Sequence, residues 1–275
     1  MKRYAVLLVM IFLLLNAVSL LAQDATPEST PEPALAAGSE ATVEATLEPT
    51  AEATAEALSP IGQLFASLPQ TRQPDGGFVV GQPSAPITVI EFIDYACPHC
   101  QEYRPMIDQM LMQYLPAGQI KYELRLFPTA GGELSYDVDL LVECAEKQRA
   151  GSFWQAYDLL YGLAMTGKYD QNVGKRMAAA LNVNYSKMLD CAQTATQVNT
   201  DVAFGEGLNV GGTPAVMVRL GDTPPQFITL HGVTYDRGGV PSDVLDAVID
   251  AVNGIQVTPE ATGQVLMNFG AVKAF

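Results

Sequence analysis

The chain has 275 residues, of which 48% are hydrophobic and 16% charged, a composition that excludes disorder throughout and provides for a packed core. The formal net charge is -15, from 30 acidic and 15 basic residues, and a surface of this sign repels the phosphate backbone of nucleic acids. We therefore expect no nucleic-acid partner. Four cysteines, an even number, fit an oxidising compartment, although the number alone is weak evidence.

The amino terminus has the order of a secretory signal. Lys2 and Arg3 precede an apolar run at 5–21 that only two polar residues interrupt. Residues 1–22 are therefore expected to form a cleaved signal peptide, or an uncleaved membrane anchor whose positive flank keeps the amino terminus inside. Both alternatives place the rest of the chain outside the cytoplasm, as a secreted, periplasmic or outward-facing anchored protein.

Residues 23–59 form a spacer of low complexity. They consist mostly of Ala, Thr, Glu and Pro, and glutamates recur at every fourth position from Glu40 to Glu56. On a helix these glutamates would form a like-charged row, and Pro49 would break the helix, so a disordered, solvated spacer is the better interpretation. Its role is either a tether that lifts the following domain off a membrane or a solubilising tail, and both alternatives stay open.

A strand followed at once by two cysteines marks the segment that carries chemistry. The apolar, β-rich run at 87–95 predicts a buried strand, and the sequence Cys-Pro-His-Cys follows at 97–100. Apolar residues then recur at helical spacing up to Pro116: Tyr103, Met106, Ile107, Met110, Leu111 and Tyr114. The cysteines thus fall on the first turn of a helix, where Pro98 fits because its missing N–H would have no partner there.

Two cysteines with this spacing can close a small disulfide ring in which the first is the more exposed to a partner. Cys97 is the predicted nucleophile, because unpaired N–H groups and the positive end of the helix favour its thiolate. Cys100, one turn further on, would resolve a mixed disulfide. A zinc site is the alternative, but the chain has few other ligands, no second CxxC and no HxxxH. We therefore expect neither a metal nor a cofactor.

The stretch at 81–100 resembles the active-site region of the DsbA-like thiol-disulfide oxidoreductases, within the thioredoxin superfamily. The second signature of that family is a cis-proline loop facing the cysteines, and the segment at 210–218 is similar to it, so the resemblance implies that Thr213 and Pro214 bind substrate. It covers residues 81–252. The fold that it implies is α/β and thioredoxin-like, with a helical insertion between strands two and three.

The resemblance also implies roles for residues near the cysteines. Glu91 is placed like the buried acid that relays the proton of the second cysteine, with a strand-edge acid paired to a lysine or water as the alternative. His99 belongs to a Pro-His pair found in the strongly oxidising members, where it stabilises the thiolate; the alternative is a solvent-facing spacer residue. Asp94 is interpreted as a turn or capping residue. Pro105 is expected to kink the helix.

The remaining elements complete one domain, predicted at 60–252. Helical periodicity without strand signals predicts a helical insertion at about 132–206, independently of the resemblance. The other predicted elements are strands at 120–127, 215–220 and 227–232, a closing helix at 242–252 and a carboxyl-terminal extension at 253–275.

Cys144 and Cys191 both fall on predicted helices of the insertion. In an exported protein the simplest interpretation is a structural disulfide between them. The alternative is a second redox relay that reloads Cys97, which the lack of CxxC spacing disfavours. Trp154, the only tryptophan, is interpreted as a core residue and His231 as structural.

The sequence predicts an extracytoplasmic thiol-disulfide oxidoreductase, an enzyme that donates the Cys97–Cys100 disulfide to exported proteins containing cysteines. A reductase or isomerase on the same scaffold is the alternative, and a non-catalytic binding module is the third. Turnover would require a redox partner that re-oxidises the pair, or reduces it in the alternative direction. If it is retained, the apolar run at 5–21 would tether the protein to a membrane.

Overall fold

The computed structural model of the protein describes residues 58–254. The predicted signal or anchor, nearly all of the acidic spacer and nearly all of the carboxyl-terminal extension lie outside the described residues. Within the described range, none of the helices combines the length and hydropathy that crossing a bilayer requires. The apolar run at 5–21 is not part of that range, so the membrane tether stays a prediction.

Six strands form a mixed central sheet. In spatial order they are β1 (Gln70–Arg72), β2 (Phe78–Gly81), β4 (Ile120–Leu126), β3 (Ile87–Ile93), β5 (Ala215–Leu220) and β6 (Gln226–Phe227). β3 is parallel to β4 and antiparallel to β5, and therefore has a hydrogen-bonded neighbour on each side. Every residue of β3 is buried, as expected for a strand that is covered on both faces.

Alternation along β3 distributes its side chains between two cores. Val89 and Ile93 belong to the larger cluster of buried apolar residues, whereas Ile90 and Phe92 belong to a smaller cluster on the other face. By the same alternation, Glu91 lies on the face of the larger cluster. A carboxyl group is thereby placed in the core, on the strand that leads to the cysteines.

Eight helices accompany the sheet in the described part of the chain. They are α1 (Pro60–Ser67), α2 (Pro98–Tyr114), α3 (Glu133–Gln148), α4 (Ser152–Met165), α5 (Val173–Ala180), α6 (Tyr185–Ala192), α7 (Gln197–Gly207) and α8 (Ser242–Val252). Helices α3 to α7 occupy the chain between β4 and β5, where the sequence predicts the helical insertion. Because β1 and β2 precede β3, the insertion separates the fourth and fifth strands of the chain.

No sequence signal predicts β1 or β2, and the strand predicted at 227–232 is partly wrong. β1 has three exposed residues and β2 only four residues, too few for an alternating pattern to be recognised. The predicted strand is divided into β6 and β7 (Thr229–Leu230), and β7 pairs with β8 (Val233–Thr234) in a separate hairpin. His231 and Gly232, both with positive φ, form the two-residue turn of that hairpin, which ends the strand early.

Aromatic packing holds the helical insertion to the rest of the domain, and a disulfide bond joins two of its own helices. Trp154 is buried on α4, as predicted, and its ring centroid lies 4.9 Å from that of Phe65 on α1 and 5.8 Å from that of Tyr122 on β4. Cys144 on α3 and Cys191 on α6 are joined by a disulfide bond with a Cα–Cα distance of 5.8 Å. This bond links two helices of the insertion to each other.

Candidate active site

The backbone changes from strand to helix at Cys97, which is the N-cap of α2. The Cys97 N–H donates to the Asp94 carbonyl at 3.0 Å, and the Gln101 N–H donates to the Cys97 carbonyl at 3.1 Å. The N–H groups of His99 and Cys100 have no carbonyl one turn earlier within the helix. No side chain caps this helix and no acidic residue occupies its first turn. The positive end of the helix dipole is therefore available to the Cys97 sulfur.

The two cysteines of α2 are both free thiols but differ in their surroundings. Cys97 is 6% exposed, whereas Cys100 is completely buried. Burial raises the pKa of the Cys100 thiol far above its ordinary value, and ionisation of Glu91 at higher pH adds to this effect. Cys100 therefore keeps its proton at neutral pH, and Cys97 is the sulfur that a partner meets first.

A loop distant in sequence lies against Cys97. The Thr213–Pro214 peptide bond is cis, as the resemblance implies, and it directly precedes β5. The Cys97 sulfur donates a hydrogen bond to the Thr213 carbonyl at 3.3 Å. Pro214 is buried and Thr213 is partly exposed. The fold therefore brings together the two motifs that the sequence analysis singles out.

Glu91 lies in the core between two strands. Its side chain is 1% exposed and accepts a hydrogen bond from the Tyr122 hydroxyl on β4. Burial raises the pKa of the Glu91 carboxyl to about 8, against the opposing effect of the Tyr122 hydrogen bond. The alternative of a strand-edge acid paired to a lysine does not hold, because β3 is interior to the sheet and the partner is a tyrosine.

His99 projects from the exposed side of α2. Its Nδ1 lies 3.4 Å from an oxygen of Glu102, and both side chains are more than three-quarters exposed. The His99 ring thus contacts a carboxylate one turn along the helix. Its predicted effect on the Cys97 thiolate stays a prediction. Within residues 58–254, no three His, Cys, Asp or Glu residues gather into a group that could hold a metal ion.

Asp94 makes many more contacts than the predicted turn residue would. One carboxylate oxygen accepts the Ala96 N–H at 2.9 Å, the expected turn contact, and also the Ser135 hydroxyl at 2.6 Å. The other accepts the three N–H groups of the loop Thr129–Gly131 at 2.6 to 3.1 Å. The sequence analysis misses these contacts because the loop is more than thirty residues away and carries no motif.

An open groove of about 480 Å³ adjoins the cysteines. Its walls come from the start of α2, the loop before β5 and the loop before α8, and are formed by His99, Glu102, Tyr103, Gly211, Gly212, Thr213, Arg237 and Gly238. The Tyr103 hydroxyl donates to the Val240 carbonyl and accepts the Val240 N–H, both at 2.8 Å, which fixes the loop before α8 to α2. No motif in the sequence marks Tyr103 or Arg237 as residues of the site.

Comparison with known proteins gives the family. A family model described as Thioredoxin matches residues 73–220, which include both motifs of the site. The chain belongs to the thioredoxin family. This membership confirms the superfamily that the resemblance indicates.

The relatives of the chain include proteins of two kinds. It is 27% identical over 163 residues to the "Probable disulfide bond formation protein D" of Bacillus anthracis, a match that covers 55% of this chain and 73% of that protein. It is 28% identical over 149 residues to the "Na(+)/H(+) antiporter NhaA 3" of Salinispora tropica, which covers 53% of this chain but only 22% of the antiporter. The chain thus corresponds to about a fifth of the second relative's length.

The fold also matches a solved structure of the DsbA type. The crystal structure of Wolbachia pipientis alpha-DsbA1 superimposes with a TM-score of 0.53 and 20% sequence identity, covering 76% of this chain and 99% of that chain. The predicted α/β, thioredoxin-like fold with its helical insertion is therefore confirmed. The chain thus has the fold of a DsbA protein and belongs to the thioredoxin family.

Proposed function

We propose that the protein is an extracytoplasmic thiol-disulfide oxidoreductase that acts as an oxidase and donates the Cys97–Cys100 disulfide to exported proteins. The observation that carries the proposal is the difference between the two thiols of α2. Cys97 stands at an uncapped helix terminus and touches the Thr213 carbonyl, whereas Cys100 is buried and keeps its proton. One sulfur is thus suited to react with a partner and the other to close the ring behind it.

The reaction proceeds in two exchanges that balance in atoms and electrons. A substrate thiolate attacks the Cys97 sulfur of the oxidised pair, which forms a mixed disulfide and expels Cys100 with the electrons of the broken bond. A second substrate thiolate then attacks the substrate sulfur, so that a substrate disulfide forms and Cys97 leaves as a thiolate. Two electrons have moved from the substrate to the cysteine pair, and a redox partner must remove them before the next cycle.

Glu91 supplies the proton that the first exchange requires. Its pKa of about 8 means that it is mostly protonated at neutral pH, when an exposed glutamic acid would be ionised. Expulsion of Cys100 creates a thiolate in a buried place, where the charge is strongly disfavoured. Transfer of the Glu91 proton to Cys100, directly or through water, removes this cost. The carboxyl group regains its proton when the pair is oxidised again.

The substrate binds as an extended segment beside the Thr213–Pro214 loop. The Thr213 carbonyl lies next to the reacting sulfur, and two glycines, Gly211 and Gly212, continue the open wall of the groove. Contacts of this kind are made by the substrate backbone and therefore select for extension rather than for particular side chains. This fits a catalyst that acts on many exported proteins containing cysteines.

The uncapped terminus of α2 supports the oxidising direction. Free N–H groups and the helix dipole stabilise the Cys97 thiolate, hence the reduced form, and a stabilised reduced form makes the disulfide a stronger oxidant. The name of the Bacillus anthracis relative, a disulfide bond formation protein, supports the same direction. The extracytoplasmic location is supported by the signal-like residues 1–22 and by the Cys144–Cys191 disulfide.

The decisive test combines activity with a redox potential. The oxidised protein should restore disulfides to reduced, unfolded ribonuclease, and both Cys97→Ser and Cys100→Ser, which have no disulfide to donate, should lack this activity. When Cys100→Ser is mixed with a peptide that contains a disulfide, its Cys97 thiolate should attack that bond, expel one peptide thiolate and accumulate the mixed disulfide. Equilibration with glutathione should place the Cys97–Cys100 pair well above about -270 mV, toward about -120 mV. A potential at the thioredoxin end of this range would favour the reductase, and a wild-type protein without exchange activity would favour the binding module.

A further inference from the structure

Four hydrogen bonds connect the cysteine turn to the Thr213 loop in a closed ring. Cys97 is bonded through its N–H to the Asp94 carbonyl and through its sulfur to the Thr213 carbonyl. The Asp94 carboxylate accepts the Thr129 N–H at 2.8 Å, and the Thr129 hydroxyl lies 2.7 Å from the Thr213 hydroxyl. In the reduced protein the ring therefore joins three segments that are separate in sequence and contains the reacting sulfur. In the disulfide form the Cys97 sulfur has no proton to donate, and the contact between the Thr129 and Thr213 hydroxyls connects the two loops.

The loop that closes this ring is held firmly at its base. Asp94 is 1% exposed and binds three successive N–H groups of the loop Thr129–Gly131, as well as the first turn of α3 through Ser135. A Cβ atom at Gly131 would come within 2.8 Å of the Ala96 Cβ, so the loop packs directly on the turn that precedes Cys97. Thr129 itself is exposed at the end of this rigid support.

We propose that Asp94 and Thr129 are positioning residues for thiol-disulfide exchange, which hold the Thr213 backbone at Cys97 in the arrangement that an extended substrate requires. This inference rests on the proposed function and deepens it. Neither residue touches the reacting sulfur atoms: Asp94 acts through the loop, and Thr129 acts through the Thr213 hydroxyl. When the Thr213 segment is already ordered, substrate binding loses less conformational entropy and is therefore tighter.

The proposal predicts a defect in substrate binding rather than in the chemical step. Loss of one hydrogen bond of this kind corresponds to a change of about 2- to 10-fold in an equilibrium constant. We therefore expect Thr129→Val, which removes the hydroxyl and keeps the shape, to raise the half-saturating substrate concentration by that factor. The maximal exchange rate should change by less than about twofold, because Cys97 and its helix terminus are untouched.

The test is a single-turnover experiment with a fluorescent peptide that contains two thiols. The oxidised protein is mixed with increasing peptide concentrations, which separates half-saturation from the maximal rate. Thr129→Ser keeps the hydroxyl and should restore wild-type half-saturation. Thr166→Val is the matched control, since Thr166 is exposed and its hydroxyl bonds only within its own helix end. Unchanged half-saturation in Thr129→Val, or an equal defect in Thr129→Ser, would overturn the proposal.

A double-mutant cycle tests whether Thr129 acts through Thr213. The half-saturating peptide concentration of the double variant Thr129→Val and Thr213→Val should not exceed that of the more strongly affected single variant. Both changes break the same hydrogen bond, so the second change has nothing further to remove. Multiplicative effects would contradict this route. Asp94→Asn should give a defect of 10-fold or more, since an amide nitrogen cannot accept an N–H. If Asp94→Asn does not fold, the Thr129 variants alone decide.

Hydrogen exchange separates this inference from the proposed function. In the reduced protein, deuterium uptake by the segment at 210–215 should rise in Thr129→Val and stay at the wild-type level in Thr166→Val. This measurement needs no exchange activity. Inactive wild-type protein would refute the proposed function, whereas unchanged uptake and unchanged half-saturation in an active Thr129→Val protein would refute only the positioning role.

Discussion

The Tyr122 hydroxyl donates a hydrogen bond to the Glu91 carboxyl between two interior strands, and both side chains are buried. The parallel register of β3 and β4 pairs Tyr122 with Val89, two residues before Glu91, so the two polar groups share one face of the sheet. The hydrogen bond favours the carboxylate and burial favours the acid. Burial has the larger effect, and the pKa of Glu91 is therefore raised to about 8.

The raised pKa of Glu91 predicts that stability falls as pH rises. Between about pH 5 and the folded-state pKa of about 8, the folded protein keeps a proton that the unfolded chain has released. The free energy of unfolding should therefore decrease through this window, by at most about 1.4 kcal/mol for each pH unit. Glu91→Gln cannot titrate at this position and should show a smaller decrease than the wild-type protein. Urea unfolding between pH 5 and pH 9 measures the difference.

The control for this prediction is an exposed acid on α7. Glu206→Gln should leave the pH dependence of stability as it is in the wild-type protein. If the stability curves of Glu91→Gln and the wild-type protein ran parallel across the window, the carboxyl group would not be the source of the pH dependence.

Glu102 is predicted to lower the reduction potential of the cysteine pair. Its carboxylate faces His99 at 3.4 Å, near the helix end where the Cys97 thiolate forms. Glu102→Gln removes this negative charge, stabilises the thiolate and should raise the potential by about 5 to 20 mV, since an exposed charge near a helix terminus contributes about 0.3 to 1 kcal/mol. Equilibration with glutathione at low salt measures the shift.

The predicted effect of Glu102 on the reduction potential can be checked by its dependence on salt and on the distance of the charge from Cys97. The shift should shrink at high salt, because solvent-exposed charges are screened. Asp190→Asn, which removes an exposed charge on α6, should move the potential less than Glu102→Gln does. A shift toward more reducing values in Glu102→Gln would contradict the electrostatic argument.

The Cys144–Cys191 disulfide is predicted to stabilise the protein without taking part in exchange. Its sequence separation of 47 residues corresponds to about 4 kcal/mol in the chain-entropy description of the unfolded state. The double variant Cys144→Ala and Cys191→Ala should lose a free energy of unfolding of this order and keep the exchange rate of folded protein. Loss of exchange in folded double variant would restore the relay alternative.

Arg104 on α2 is predicted to stabilise the folded protein strongly through its contacts with α4. Its guanidinium is nearly buried, bonds to Asp108 at 3.0 Å and Asp158 at 2.6 Å, and lies over the Tyr157 ring at 4.8 Å. Arg104→Met would leave both carboxylates without this partner in a largely buried place, at a cost of about 3 kcal/mol. Urea unfolding measures the loss. Arg176→Met, which breaks an exposed ion pair with Asp170, is the matched control and should change stability little.

The segment from β3 to α2 could be predicted from the sequence because its signals are local. A continuous apolar run predicts the strand, regular helical spacing predicts the helix, and the Cys-x-x-Cys motif at 97–100 lies where they meet. The Thr213–Pro214 loop could be found only through the resemblance, since its approach to Cys97 depends on the pairing of β3 with β5.

The missed contacts of Asp94 and Glu91 are between segments distant in sequence. Asp94 has the residue type of a turn, and nothing near it reveals that its carboxylate binds the loop that begins at Thr129. The partner of Glu91 follows from the register of β4, which no local pattern specifies. The short β1 and β2 strands are missed for the same reason, because pairing in the sheet rather than their own sequence pattern stabilises them.

The burial of Cys100 one helical turn behind Cys97 is also expected to protect the Cys97 sulfur from irreversible oxidation. A peroxide would reach Cys97 first and convert its thiolate to a sulfenic acid, the step that precedes irreversible sulfinic acid. The adjacent Cys100 thiol condenses with that sulfenic acid, which forms the Cys97–Cys100 disulfide and releases one water molecule. Because Cys100 is itself inaccessible, it stays reduced and ready for this reaction. An oxidant that would inactivate a lone surface cysteine is thus expected to return this protein to its working state.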